Sequence, residues 1–346
     1  MAPFSGWDMP IQYEGILQEH QHTRQAASIF DTCHMGEFDL RGSTAEADLE
    51  RLLTQNVNSL NVGQCRYGYL LREDGGVIDD LTVFKRADDH FFLVVNAGTR
   101  AADADWIKMH LSADTMFEDL SPHRAKLDVQ GPTSRADMEA VFGCALPGLK
   151  YFYFQDVMLA GIPCTLSRTG YTGEWGYEIY FPGSETERMW SLLTEGTSIK
   201  PAGLGARDTL RLEVGYPLYG HELGLEKSPV AAGRGLFMDC NKDFIGKPIV
   251  QEELQHGVPR YLAGLQLDSK RAAREGVVVL KDGNPVGEIT SGSLAPSLGV
   301  AVAMAHLDAA LCEPGTEVEL DMRGKPLAAS VVKMPFYKEG TARKTC

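Results

Sequence analysis

Beyond residue 261 the chain stops offering helical periodicity and becomes a succession of short strand-like runs. Residues 262–267, 277–280 and 327–332 are rich in branched and apolar side chains, and turn signals at Asp282-Gly283, Pro296 and Arg323-Gly324 stand between them. Short strands separated in this way must pair with one another to bury anything. The tail is therefore expected to form a small all-β barrel or sandwich of its own. A soft boundary falls at residues 255–261, where Gln255-His256-Gly257-Val258-Pro259 is turn-like.

Upstream, helical and strand signals alternate without the regular βαβ rhythm of a doubly wound sheet. Ser43-Thr44-Ala45-Glu46 reads as a capping box ahead of a helix over residues 47–55, with Leu49, Leu52 and Leu53 at helical spacing. Residues 91–95 form a short apolar run of strand formers. Helices are expected over 99–111, with Trp106, Met109 and His110 on one side, over 185–195 and over 206–214. Gly203-Leu204-Gly205 and Gly233-Arg234-Gly235 lack the third glycine of a dinucleotide fingerprint. Neither a Rossmann domain nor a P-loop is expected.

At 346 residues the chain exceeds what one hydrophobic core usually organises, so two or three domains are expected. Its net charge of −14 argues against general nucleic-acid binding, which draws on a basic face. No run approaches the roughly 20 apolar residues of a membrane span. The opening Met1-Ala2-Pro3-Phe4-Ser5-Gly6-Trp7 does not read as a secretory signal. Seven scattered cysteines without CxxC spacing read as reduced thiols, as in a cytosol or organelle matrix.

Three segments could carry chemistry. Asp79 and Asp80 sit in an otherwise apolar, β-branched run after Gly75-Gly76. Aspartate is disfavoured in strands, so the local reading is a turn in which one carboxylate caps backbone amides. Residues 167–179 are dense in glycine, aromatics and carboxylates. Such a segment can bring backbone close to a flat ligand, stack tyrosine on it and offer it a carboxylate, or it is a decorated β-hairpin. Arg207 falls in the first turn of a helix, where a cation is unfavourable against the dipole. It either serves a specific partner or pairs with Asp208 or Glu213. Glu19-His20-Gln21-His22 and Cys33-His34 lack a second ligand pair at credible spacing, so no metal is expected.

Taken together, these segments resemble the glycine-cleavage T-protein family over nearly the whole chain. Met1 to Pro10 looks like the family's opening, and Cys33-His34-Met35-Gly36-Glu37 like its Ser-His-Met-Gly-Glu element. The likeness continues through residues 75–81, Val94-Val95-Asn96-Ala97, Val129-Gln130-Gly131-Pro132 and residues 169–179. It runs on through 201–213, Leu218-Tyr219-Gly220-His221-Glu222, Ser228-Pro229 and Ser291-Gly292. The resemblance implies an α+β, three-domain, cloverleaf-like fold around a central folate channel. Residues 1–255 would be the folate-binding region of two interleaved domains, and 262–346 a C-terminal β-barrel.

Motif by motif, the resemblance makes Asp80 the catalytic carboxylate. It places Met35, Tyr67, Val95, Asn96, Tyr151, Tyr171, Glu178, Arg207 and Tyr216 around tetrahydrofolate, with Glu178 on the pterin edge. Two departures stand out: Cys33 replaces the usual serine, and the chain begins almost at the first motif. The implied reaction passes the methylene of an aminomethyl group on the lipoyl arm of H-protein to tetrahydrofolate. Its products are 5,10-methylenetetrahydrofolate, ammonia and dihydrolipoyl H-protein, without a metal, nucleic acid or membrane, in a bacterial cytoplasm or a mitochondrial matrix. Two rivals are a folate-dependent demethylase on the same scaffold and a folate-binding accessory protein without transfer activity. The accessory relatives carry Lys-Gly-Cys, where this chain has Asn241-Lys242-Asp243-Phe244-Ile245-Gly246-Lys247.

Overall fold

The structure, a computed structural model, describes residues 1–233 and 235–344 and divides into two compact units. One holds Met1–Gly68, Leu81–Asp208 and the tail from Gly340; the other holds Tyr69–Asp80 and Thr209–Glu339. No helix among the described residues is long and apolar enough to cross a membrane.

The first unit opens with a hairpin of β1 (Ala2–Phe4) and β2 (Trp7–Met9), followed by α1 (Ile16–Gln25). Its larger sheet contains β3 (Ser28–Asp31), β9 (Arg124–Gln130), β10 (Phe154–Leu159), β11 (Ile162–Ser167), β12 (Gly176–Pro182) and β13 (Lys200–Pro201). The order is β10-β11-β12-β9-β3-β13, antiparallel except where β13 joins β3. A second sheet runs β5-β6-β7-β4-β8, from β4 (Gly36–Arg41), β5 (Cys65–Leu71), β6 (Val77–Ala87), β7 (His90–Val95) and β8 (Met116–Asp119); the stretch Tyr69–Asp80 of β5 and β6 is counted with the second unit. The helices are α2 (Ala45–Leu52), α3 (Arg100–His110), α4 (Ser134–Phe142), α5 (Thr186–Thr194) and the start of α6 (Leu204–Glu213), which is counted with the second unit from Thr209.

Strand periodicity sorts the chemistry of the larger sheet. On β9, Ala125, Leu127 and Val129 turn one way and pack with Tyr177, Ile179 and Phe181 of β12 against Met138 of α4 and Met189 and Leu193 of α5. Lys126, Asp128 and Gln130 are thereby committed to the opposite face, with Glu178 and Tyr180 of β12 beside them. That second face meets an aromatic cluster. Tyr180 packs edge-on to Phe84 and Phe92 at 5.6 and 5.4 Å, and Phe84 to Phe154 at 5.2 Å. Such edge-to-face pairs add to the burial of each ring and fix its angle.

The second unit contains α7 (Lys247–His256) and a closed barrel of β14 (Arg260–Leu267), β15 (Val278–Lys281), β16 (Asn284–Ala295), β17 (Val300–Asp308), β18 (Glu317–Asp321) and β19 (Pro326–Val332). Ala301, Ala303, Ala305 and Leu307 of β17 point inward with Leu265, Ile289, Leu320 and Val331. Alanine suits an interior this narrow. The alternate residues Val302 and Met304 pack outside, against Leu212 and Leu262. Asp282 and Gly283 take φ of 51° and 79°, the left-handed pair a two-residue hairpin demands.

Several sequence expectations change. The capping box does not form: Thr44 is the N-cap of α2 without a side-chain cap bond, its hydroxyl meets Thr115, and Glu46 pairs with Lys85. In α3 the core face is Asp103, Ala104 and Ile107, while Met109 is 74% exposed. Strands β16, β17 and β18 were not anticipated. Pro285, Gly287 and Gly292 give β16 the look of a turn, and β17 is built on alanine, a poor strand former. Asp79 and Asp80 lie inside β6 rather than in a turn. Asp74 does the capping instead, accepting from the Gly76 amide at 3.2 Å, and that bond holds its carboxyl below the usual range.

Candidate functional site

Gln130 explains two glycines of the 167–179 segment at once. Its side-chain amide donates to the carbonyls of Thr169 and Tyr177 at 3.1 and 3.3 Å and accepts from Thr172. It lies so close to the 168–175 loop that a Cβ on Gly170 would fall 2.0 Å from its Oε1. One on Gly176 would fall 2.6 Å from its Cδ. Gly131 takes φ of 132°, and a Cβ there would meet the Ala26 carbonyl oxygen at 1.7 Å. These positions require glycine because backbone and amide must nearly touch.

The loop is braced from its other side as well. Arg168 is almost wholly buried, with its guanidinium 3.9 Å above the Trp175 ring and a bond to the Ala342 carbonyl. Arg24 binds the Thr172 carbonyl and the buried Glu174 carboxylate at 2.7 and 3.0 Å. Thr341 in turn donates to Glu174 and accepts from the Trp175 amide. Tyr171 is thus presented from a rigid segment, half-buried, with the Arg207 guanidinium 4.9 Å from its ring.

Beneath it lies a cluster of four charges. Lys126, 1% exposed in its side chain, pairs with Asp128 and, at 2.8 Å, with Glu178 Oε1. Asp128, fully buried, accepts from Thr32 at 3.0 Å on Oδ1 and from Arg207 at 2.9 Å on Oδ2. Glu178 Oε2 accepts from Thr169 at 2.5 Å and from the Tyr180 hydroxyl at 2.9 Å. Burial alone would neutralise Asp128, but the Lys126 and Arg207 cations outweigh it and hold the carboxyl below its ordinary range. Burial likewise works against the Lys126 charge, and the Asp128 and Glu178 carboxylates overcome it, raising the ammonium's pKa. Burial and the same carboxylates push the Tyr180 phenol well up. Burial, with Arg207 and Lys126 nearby, drops His34 to about 3, so that imidazole is neutral.

The residues named by the resemblance are distributed unevenly. Glu178, Arg207 and Tyr171 come together through this cluster, and Met35 packs on the aromatic group that includes Tyr180. Val95 is buried at the end of β7 opposite Gly36, and the Asn96 carbonyl accepts from Thr99. Tyr151 stands edge-on to Phe152 at 4.7 Å, with Arg168 5.7 Å from its ring. Tyr67 is half-buried on β5. In the second unit, Asp80 is half-buried on β6 while Asp79 beside it is fully buried, as opposite strand faces require. Tyr216 follows α6, with its amide and carbonyl both bonded to Arg211. Arg207 pairs across to Asp128, which neither local reading named.

Sequence reasoning missed Lys126, Asp128, Thr32, Thr169 and Tyr180. Lys126-Leu127-Asp128-Val129-Gln130 did carry a signal, a strict alternation that places two charges and an amide on one strand face. Two residues of the metal-like motifs bind backbone groups. Glu19 binds the amides of Tyr13, Glu14, Gly15 and Gly203, and the Cys33 thiol donates to the Lys126 carbonyl.

The chain matches the family description "GCVT N-terminal domain" over residues 1–242 and "Glycine cleavage T-protein C-terminal barrel domain" over residues 260–338. An aminomethyltransferase from Anoxybacillus flavithermus is 40% identical over 97% of this chain and 94% of its own length. One from Synechococcus elongatus is 41% identical over 97% and 91%. The crystal structure of glycine cleavage system aminomethyltransferase T from Bartonella henselae matches with a TM-score of 0.92 and 34% identity, over 98% of this chain and 94% of that one. An α+β fold carrying a closed six-stranded barrel, with these relatives, defines an aminomethyltransferase. The chain belongs to the glycine cleavage T-protein family.

Proposed function

We propose that this chain transfers the methylene of an aminomethyl group, carried on the lipoyl arm of H-protein, to tetrahydrofolate, releasing ammonia. The observation that carries the reading is the Glu178 carboxylate, 13% exposed and fixed by three donors, in the charge cluster whose Arg207 lies 4.9 Å from the Tyr171 ring. A carboxylate offers about four acceptor directions. Three are taken, and the open one, on Oε1, suits a donor from a 2-amino-4-oxo ring edge. The residues fit a pterin in that respect: a held anion for the polar edge and an aromatic ring for the flat face.

Tetrahydrofolate, when bound, supplies the nucleophilic nitrogen. The chain's own work is to hold that ring and to stabilise the positive charge that develops on the transferred carbon. Asp80 is the carboxylate we assign to the charge, by electrostatic stabilisation or by accepting a proton. Met35, Tyr67, Val95, Asn96, Tyr151, Arg207 and Tyr216 are assigned to folate binding, within a folate-binding region of residues 1–255. Residues 262–346 are assigned to the C-terminal domain.

Glu178→Gln tests the assignment. It keeps the shape but replaces one acceptor oxygen with a donor, and should raise the KM for tetrahydrofolate about 10- to 100-fold, as loss of a charged hydrogen bond does. An unchanged KM in the folded variant would remove Glu178 from ring binding.

A further inference from the structure

Lys126 is an expensive residue where it stands. Its ammonium is buried on a sheet face, 5.7 Å from the Tyr180 ring centre, among aromatic side chains. Buried ion pairs often contribute no more to stability than apolar residues of the same size, so folding alone is a poor reason to keep one. Its three N–H directions are spent on Asp128, Glu178 and, at 3.2 Å, Thr32. None remains for a ligand. Whatever Lys126 does for the reaction passes through its partners.

Those partners are the two anions that fix the candidate folate residues. Asp128 engages Arg207, and Glu178 Oε1 is the oxygen with an open acceptor direction. Lys126 is the one cation bonded to both carboxylates among the described contacts. Without it, Glu178 would keep only the Thr169 and Tyr180 hydroxyls, both on Oε2, and Oε1 would lose the bond that sets its direction.

We infer that Lys126 is a positioning residue for tetrahydrofolate: it holds the Glu178 carboxylate aimed, and ties it through Asp128 to Arg207. The inference rests on the folate reading of Glu178. It predicts a role in ring binding, and none in binding the aminomethyl donor.

The experiment is steady-state kinetics with both substrates on wild type, Lys126→Met, Lys126→Arg, Glu178→Gln and the double variant Lys126→Met/Glu178→Gln. Lys126→Met should raise the KM for tetrahydrofolate at least 10-fold while kcat and the KM for aminomethylated H-protein stay within about threefold. Lys126→Arg, which keeps a cation, should recover most of the loss. The double variant removes the Glu178 carboxylate together with the cation and leaves Asp128 paired with Arg207, so it remains measurable if Lys126→Met does not fold. In that background the loss of Lys126 should change the tetrahydrofolate KM less than twofold relative to Glu178→Gln alone. An equal fall in kcat and both substrate affinities, or an undiminished effect of Lys126→Met when Glu178 is already Gln, would overturn the inference. A wild-type protein indifferent to tetrahydrofolate would instead overturn the folate reading beneath it.

Discussion

Glu37 offers a pH test with a calculable size. It lies on β4, 2% exposed, with its carboxylate 3.1 Å from Arg124 Nε. Burial outweighs the attraction of Arg124 and Lys126 and lifts the carboxyl from 4.5 to about 7. Below pH 4.5 it is protonated in both folded and unfolded chains. As pH rises, the unfolded chain loses its proton first while the folded one retains it, so stability falls until the folded pKa is passed. From 4.5 to about 7, at about 1.4 kcal/mol per pH unit, the loss is about 3 kcal/mol. Glu37→Gln keeps the volume and does not titrate. Urea unfolding of wild type and variant across pH 4 to 8, followed by tryptophan fluorescence, should show the variant gaining about 3 kcal/mol on wild type over that window. Parallel curves, or a variant that loses ground as pH rises, would refute the reasoning and make the Arg124 pair the dominant effect.

Two further outcomes follow from the site. Gly170→Ala drives a methyl group into Gln130 and should shift the Tyr171 loop. The expected cost is about 1–3 kcal/mol of stability, measured by urea denaturation, with a tetrahydrofolate KM raised several-fold. Asp80→Asn should leave the fold and folate binding intact and lower kcat by about 10²–10⁴, the range for a positioned acid or base. Near-normal turnover would remove Asp80 from the mechanism.

How much of this was legible in the sequence depended on whether the signal was local. The Asp282-Gly283 and Arg323-Gly324 turns marked barrel hairpins correctly, because left-handed backbone is a property of the turn residues themselves. The helix at 186–194 followed from apolar spacing, and those at 100–110 and 204–213 form where expected, although Met109, on the expected face of the first, is exposed. The strands β16 and β17 did not, because their stability comes from barrel partners rather than from alanine, glycine or proline. At the candidate site the motifs pointed to Glu178, Tyr171 and Arg207, but the partner of Arg207 lies 79 residues away on β9. A charge read in its own helix finds Asp208 and Glu213; only the sheet brings Asp128 to it. Lys126 was hidden for the same reason, since a lysine in a strand ordinarily faces water.

The central claim is tested most directly by following 5,10-methylenetetrahydrofolate and ammonia released from aminomethylated H-protein plus tetrahydrofolate, with and without this protein. The account predicts catalysed appearance of both products in equal amounts, dependent on both substrates. Tight tetrahydrofolate binding without turnover of aminomethylated H-protein would contradict it and point to a different one-carbon donor.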